Sequence, residues 1–254
     1  MKKTTLILVM LISAHVHATS PNIPTEFLGS RIATYSPRGL LKNWALSTCF
    51  SRIAKNTEDK TDAKETADAY ANFGKISNKE QEIILPIIDK YIAKKYGGHE
   101  TKAEYHTEKC VDIVLSDEFE TLVTNLLRIR QNKTATVTGY PDNSGNWNYS
   151  QRNITKNYAL FSCLFTILKD EEMRSDAASC SSANLQMGVL EFEDYPILDK
   201  FSESFIKKKY GGRNPSKFNT MKCIDLYYSP ELERLVTRLL SKEKEQLRKT
   251  KGDF

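Results

Sequence analysis

Few side chains of this 254-residue protein could support catalysis, because it contains only four histidines and five cysteines. Two histidines, His15 and His17, lie in an apolar N-terminal stretch, which leaves His99 and His106 in the rest of the chain. A nucleophilic cysteine needs a nearby histidine, and a zinc site needs closely spaced Cys or His pairs. The sequence contains no C-x-x-C and no H-E-x-x-H. We therefore expect no catalytic residue, no metal site and no cofactor.

Two pairs of carboxylates resemble the acid pair of a glycosidase, namely Glu118 with Glu120 and Glu231 with Glu233. Each pair falls in the first turn of a predicted helix, where negative charge stabilises the helix dipole. We interpret both pairs as structural.

The composition is that of a globular protein, with 40% hydrophobic residues, 11 glycines and 8 prolines. These values exclude collagen, long disorder and a multi-span membrane protein. The 37 basic and 32 acidic residues give a net charge of +5 and are interspersed along the chain. We therefore expect no nucleic-acid partner.

The N-terminus has the pattern of a signal peptide: Lys2 and Lys3, an apolar run over 6–12, and small residues at Val16 and Ala18. The apolar run is too short and too interrupted to span a membrane. We predict export with removal of residues 1–18, which lowers the net charge to +3 and leaves no membrane span. Export places the cysteines in an oxidising compartment.

The chain contains an internal duplication. Three pairs of segments match, at 43–49 and 157–163, at 92–98 and 206–212, and at 109–127 and 222–240. Six of seven residues are identical in the second pair and eleven of nineteen in the third. We predict two homologous domains, at 36–130 and 151–245, joined by a linker at 131–150 that is rich in turn-forming residues.

Both units follow the helical period. Apolar residues recur at i, i+3, i+4 and i+7 before and after the double glycines at 97–98 and 211–212, and the glycines are expected to end helices. Ser116 and Ser229 precede the last helices as N-cap candidates. We predict an all-α fold of two four-helix domains.

Four of the five cysteines occupy equivalent positions in the two units. The simplest assignment is one disulfide within each domain, Cys49 with Cys110 and Cys163 with Cys223. Cys180 has no equivalent, and the sequence leaves open whether it is a buried thiol or a site of disulfide exchange.

The order of these motifs resembles one family. The signal peptide, N-[WY]-A-L-x-x-C, K-K-Y-G-G and a final K-C-[VI]-D followed by S-x-E are similar to the amidase-immunity proteins of type VI secretion. The resemblance covers most of the chain after the leader, although this chain holds two units. It implies a periplasmic inhibitor that binds a peptidoglycan amidase effector with a Cys-His active site and occludes that site. A homodimer is usual in the family, so we expect this chain to be a monomeric pseudo-dimer.

The resemblance also implies that a protruding loop enters the effector. The best candidates follow the double-glycine motifs, at 96–109 and 210–222, and we expect one to recognise the effector while the other supports the interface between units. The candidate contact residues are Tyr96, His99, Glu100, Lys102, Glu104, Tyr105, Tyr210, Arg213, Asn214, Lys217 and Phe218.

Three other functions remain open from the sequence. They are a periplasmic cell-wall enzyme, another secreted helical binding protein, and an inhibitor of lysozyme. Activity on cell wall, or inhibition of lysozyme but not of an amidase, would distinguish them.

Overall fold

A computed structural model describes residues 29–96, 104–132, 149–210 and 218–251. The predicted signal peptide, the two double-glycine motifs and most of the predicted linker lie outside these ranges. The described residues form ten α-helices and no strand, which confirms the all-α fold.

The helices divide into two sets of five in the same order. The first half contains α1 Pro37–Ile53, α2 Thr57–Gly74, α3 Asn78–Ile92, α4 His106–Leu115 and α5 Asp117–Asn132. The second half contains α6 Gln151–Ile167, α7 Glu171–Met187, α8 Tyr195–Ile206, α9 Asn219–Tyr227 and α10 Pro230–Lys251. Each half has one helix more than expected, because a break before Asp117 and Pro230 divides the last helical segment.

Local side chains explain where several helices begin. The Ser36 hydroxyl accepts a hydrogen bond from the Gly39 amide at the start of α1, and Ser77 forms a reciprocal capping box with Glu80 at α3. Ser116 and Ser229 accept from the amides of the third residue beyond them, as predicted. These caps satisfy amide groups that have no partner inside the helix.

The two predicted disulfides are present and join equivalent helices. Cys49 of α1 is bonded to Cys110 of α4, and Cys163 of α6 to Cys223 of α9. All four bonded cysteines are fully buried. Cys180 of α7 is a buried free thiol.

The halves pack through two equivalent helix pairs. Helix α2 contacts α9, and α7, the counterpart of α2, contacts α4, the counterpart of α9. A helix of one half therefore meets a helix of the other, and the counterparts of these two helices meet in the same way. Such reciprocal contacts are the signature of a two-fold interface. The chain therefore forms a pseudo-dimer, with helices of both halves in one continuous core.

Helices α3 and α8 end earlier than the double glycines suggested. They end at Ile92 and Ile206, several residues before each glycine pair. Tyr96 and Tyr210 therefore lie outside the helices, where their side chains can turn back to the fold. No helix of the described residues is both long enough and apolar enough to span a membrane.

Candidate functional site

Two connections carry the candidate contact residues. The first connection, 93–105, joins α3 to α4, and the second connection, 207–218, joins α8 to α9. The structure describes the two ends of each connection, so the way in which those ends are held can be compared.

A tyrosine and an aspartate hold the N-terminal end of each connection. The Tyr96 hydroxyl donates to Asp112 in α4, and the Tyr210 hydroxyl donates to Asp225 in α9 over 2.6 Å. Both pairs come from motifs that occur twice, K-K-Y-G-G and K-C-[VI]-D. Burial raises the pKa of both tyrosines, so the hydroxyls remain protonated donors. The repeated motifs thus form the same hydrogen bond in each half.

Asp225 has further donors that come from the first half. The Arg31 amide and the Tyr35 hydroxyl donate to its carboxylate over 2.8 and 2.7 Å. Burial raises the pKa of Asp225, and the bonds from Tyr210, Arg31 and Tyr35 oppose that shift. The segment before α1 therefore packs across the interface onto the second half.

Asp112 has fewer hydrogen-bond donors than Asp225 among the described residues. Burial raises its pKa to about 7, and the hydrogen bond from Tyr96 opposes the shift. Its Oδ1 atom has no hydrogen-bond partner within the part of the chain that the structure describes. The equivalent aspartates therefore occupy different electrostatic environments.

The C-terminal end of each connection is held by the opposite half. Tyr105 and Phe218 precede α4 and α9 in the left-handed conformation, with φ of 52° and 67°, and neither caps its helix with its side chain. Instead Asp176 of α7 accepts from the His106 and Thr107 amides, both over 2.8 Å. A carboxylate of the second half thus caps a helix of the first.

The reciprocal contact is also present. Asp62 of α2 accepts from the Asn219 and Thr220 amides over 2.9 and 2.7 Å. Asp62 and Asp176 are separated by the 114-residue repeat. A negative group at a helix N-terminus satisfies unpaired amides and interacts favourably with the helix dipole.

The described candidate contact residues differ in exposure. Tyr210 is only 3% exposed and is an internal support for the second connection. Tyr96, Tyr105 and Phe218 are half-buried, and Glu104 is exposed. The other candidates, His99, Glu100, Lys102, Arg213, Asn214 and Lys217, lie outside the described residues.

Sequence analysis missed Asp62 and Asp176. They lie on the two helices with the weakest amphipathic pattern, and their partners are distant in sequence. One signal could have found them: an aspartate at the same position of a polar helix in both copies. Cys180 lies at the same contact between α7 and α4, where the Thr107 hydroxyl is 3.1 Å from its sulfur.

One carboxylate of each glycosidase-like pair forms ion pairs. Glu118 is paired with Lys90, and Glu233 with Arg152 and Lys156. Burial raises the pKa of the Cys180 thiol, which keeps it protonated and unreactive. No three His, Cys, Asp or Glu side chains of the described ranges are arranged to hold a metal ion.

A cavity of about 460 Å³ lies beside the second connection. It is formed where α2 meets the α6–α7 turn and the start of α9, and acidic side chains contribute to its wall. Two of those, Asp59 and Asp62, already accept from backbone amides of the second half. The cavity is therefore part of the interface between halves.

These features define a class of duplicated helical proteins with one disulfide in each half and two connections anchored across a pseudo-two-fold interface. The comparison with protein families then identifies the chain. The family of type VI secretion system (T6SS) amidase immunity proteins, Tai4, matches residues 39–123 and 153–236. The chain belongs to this family, in two copies. No curated protein and no solved structure matched it.

Proposed function

We propose that this chain is a periplasmic immunity protein that binds a T6SS peptidoglycan amidase effector and occludes its active site. The family supports an immunity role with an amidase as protein partner. The observation that carries the mechanism is that both connections are held at both ends, by a Tyr–Asp pair and by an aspartate of the opposite half. Anchored ends reduce the ordering that a connection must undergo on binding.

The two connections form the proposed contact surface. Glu104, Tyr105 and Phe218 lie at the described edges, and the candidates between 99 and 102 and between 213 and 217 complete it. Tyr96 and Tyr210 serve as supports. One connection recognises the effector, and the other stabilises the pairing of the halves.

Inhibition can be tested directly. Co-expression with periplasmically targeted T6SS amidases should prevent lysis by one of them, and the purified chain should block its hydrolysis of peptidoglycan. Alanine at His99, Glu100 and Lys102, or at Arg213, Asn214 and Lys217, should weaken the inhibition. Inhibition of lysozyme alone, hydrolysis of peptidoglycan by the chain itself, or unchanged inhibition by both alanine variants would contradict the proposal.

The proposal includes export and a single-chain assembly. Domains at 36–130 and 151–245, joined by the linker at 131–150, pair within one chain, since a covalent link gives a high effective concentration. N-terminal sequencing of the periplasmic protein should begin at Thr19. Sedimentation should give one chain, and a stable particle of twice the mass would contradict the pseudo-dimer.

A further inference from the structure

The two anchors of each connection belong to different halves. At the N-terminal end the tyrosine and aspartate both come from the half that contains the connection. At the C-terminal end the aspartate comes from the other half. The C-terminal end of each connection is therefore held by the other half.

We propose that each half positions the connection of the other, Asp176 acting on the first connection and Asp62 on the second, so that the connection that recognises the effector is positioned by the half that does not contain it. This inference rests on the proposed function and deepens it, because it explains why the recognition connection requires two units. Both aspartates are positioning residues, because they bind the helix start that immediately follows the connection.

The geometry of the Asp176 and Asp62 contacts is suited to positioning a helix start. Each carboxylate divides its two oxygens between the first two amides of a helix, so it fixes both the position and the direction of the helix start. The residues at the N-cap positions, Tyr105 and Phe218, are aromatic, and neither side chain accepts these bonds. Without the aspartate, the first turn would lose its only described cap and would fray into the connection.

The two contacts are not equal in strength. Asp176 also accepts from the Thr107 hydroxyl over 2.8 Å, and its side chain is buried. Asp62 is half-buried. The C-terminal anchor is therefore firmer in the first connection, whereas the N-terminal Tyr–Asp anchor has more described donors in the second.

Hydrogen exchange on the full chain tests the anchoring without any ligand. Asp176→Ala should accelerate exchange of the His106 and Thr107 amides by roughly tenfold or more, because hydrogen bonds to a charged group are lost. Asp62→Ala is the matched control and should act on the Asn219 and Thr220 amides instead. Asp176→Asn keeps one acceptor and should give an intermediate rate even where Asp176→Ala is too unstable to measure.

A double-mutant cycle connects the anchor to recognition. The readout is inhibition of the amidase that the wild-type chain blocks, measured with each alanine connection variant alone and combined with each aspartate variant. The aspartate whose replacement weakens inhibition should lie in the half opposite to the connection whose replacement weakens inhibition. Once the residues of that connection are replaced by alanine, replacing the aspartate as well should have little further effect on inhibition.

The outcomes separate the two proposals. If one connection variant weakens inhibition but neither aspartate does, the positioning inference is overturned while the proposed function stands. A dominant aspartate in the same half as the sensitive connection, or unchanged exchange rates in Asp176→Ala, would also overturn it. If neither connection variant changes inhibition, the connection mechanism and this inference both fail.

Discussion

Asp112 and Asp225 occupy equivalent positions in two copies of one motif, yet their surroundings differ. Asp225 accepts from Tyr210 and from two groups that precede α1, whereas Asp112 accepts from Tyr96 and has one oxygen without a described partner. The internal Tyr–Asp bond is thus common to both copies, whereas among the described residues only Asp225 accepts hydrogen bonds from the opposite half.

The interface shows the same divergence at a second pair of positions. Glu108 of α4 accepts from the Asn184 amide of α7 over 3.0 Å, while its counterpart in α9 is Met221. At this position, one side of the interface is therefore polar where the other is apolar.

The largest expected effect on stability comes from removing the disulfide that each half contains. Replacing Cys49 and Cys110 by serine removes a crosslink between residues 61 apart, and replacing Cys163 and Cys223 removes one between residues 60 apart. Each loss should lower the free energy of unfolding by about 4 kcal/mol, because the unfolded chain gains loop entropy. Urea unfolding should give nearly equal losses, and a clear inequality would show that the halves differ in more than polar contacts.

The pH dependence of stability should separate the polar and apolar sides of the interface. Burial raises the pKa of Glu108 to about 8, and the nearby carboxylates of Asp112 and Asp176 add to the shift against the bond from Asn184. The native state then holds a proton that the unfolded state releases near pH 4.3. Stability should therefore fall by about 3 kcal/mol as the pH rises from about 5 to 8.

The variant Glu108→Gln is the control for that titration. It keeps the size of the side chain and a polar contact for Asn184 but cannot ionise. Thermal melting across this pH range should show a weaker fall in the variant, with the remaining slope due to Asp112, whose pKa of about 7 is also raised by burial. Identical profiles for the variant and the wild type would show that Glu108 does not titrate in this range.

The aspartate comparison predicts a smaller effect. Asp225→Asn should cost about 2 kcal/mol more than Asp112→Asn, because it disturbs three described donors rather than one. Urea unfolding at pH 8 measures the difference, since both carboxyl groups are ionised in the unfolded state at that pH. Equal losses would mean that the donors from Arg31 and Tyr35 contribute no net stability.

The smallest effect concerns the helix caps. Ser116→Ala and Ser229→Ala should each cost about 1 kcal/mol, since each removes one hydrogen bond to a helix amide. The two losses should agree within experimental error when measured by thermal unfolding. A threonine at either position should restore most of the loss, and failure to do so would argue against the capping role.

Much of the fold could be predicted because its signals are local or repeated. The serine caps depend on residues three positions away, and the helical period is visible within a few turns. The disulfides were predicted correctly because four cysteines recur at equivalent positions. The early end of α3 at Ile92 was missed, because the contact of Tyr96 with Asp112 depends on the packing of another helix.

The sequence by itself determined a duplicated helical unit with one disulfide in each copy, because helical periodicity and internal repeats are visible in the sequence. Only the tertiary structure decided that Asp176 caps α4 and Asp62 caps α9, since those partners are about 70 and 157 residues apart in the sequence. It also decided that equivalent aspartates differ, because the number of donors around a buried carboxylate depends on which half packs against it.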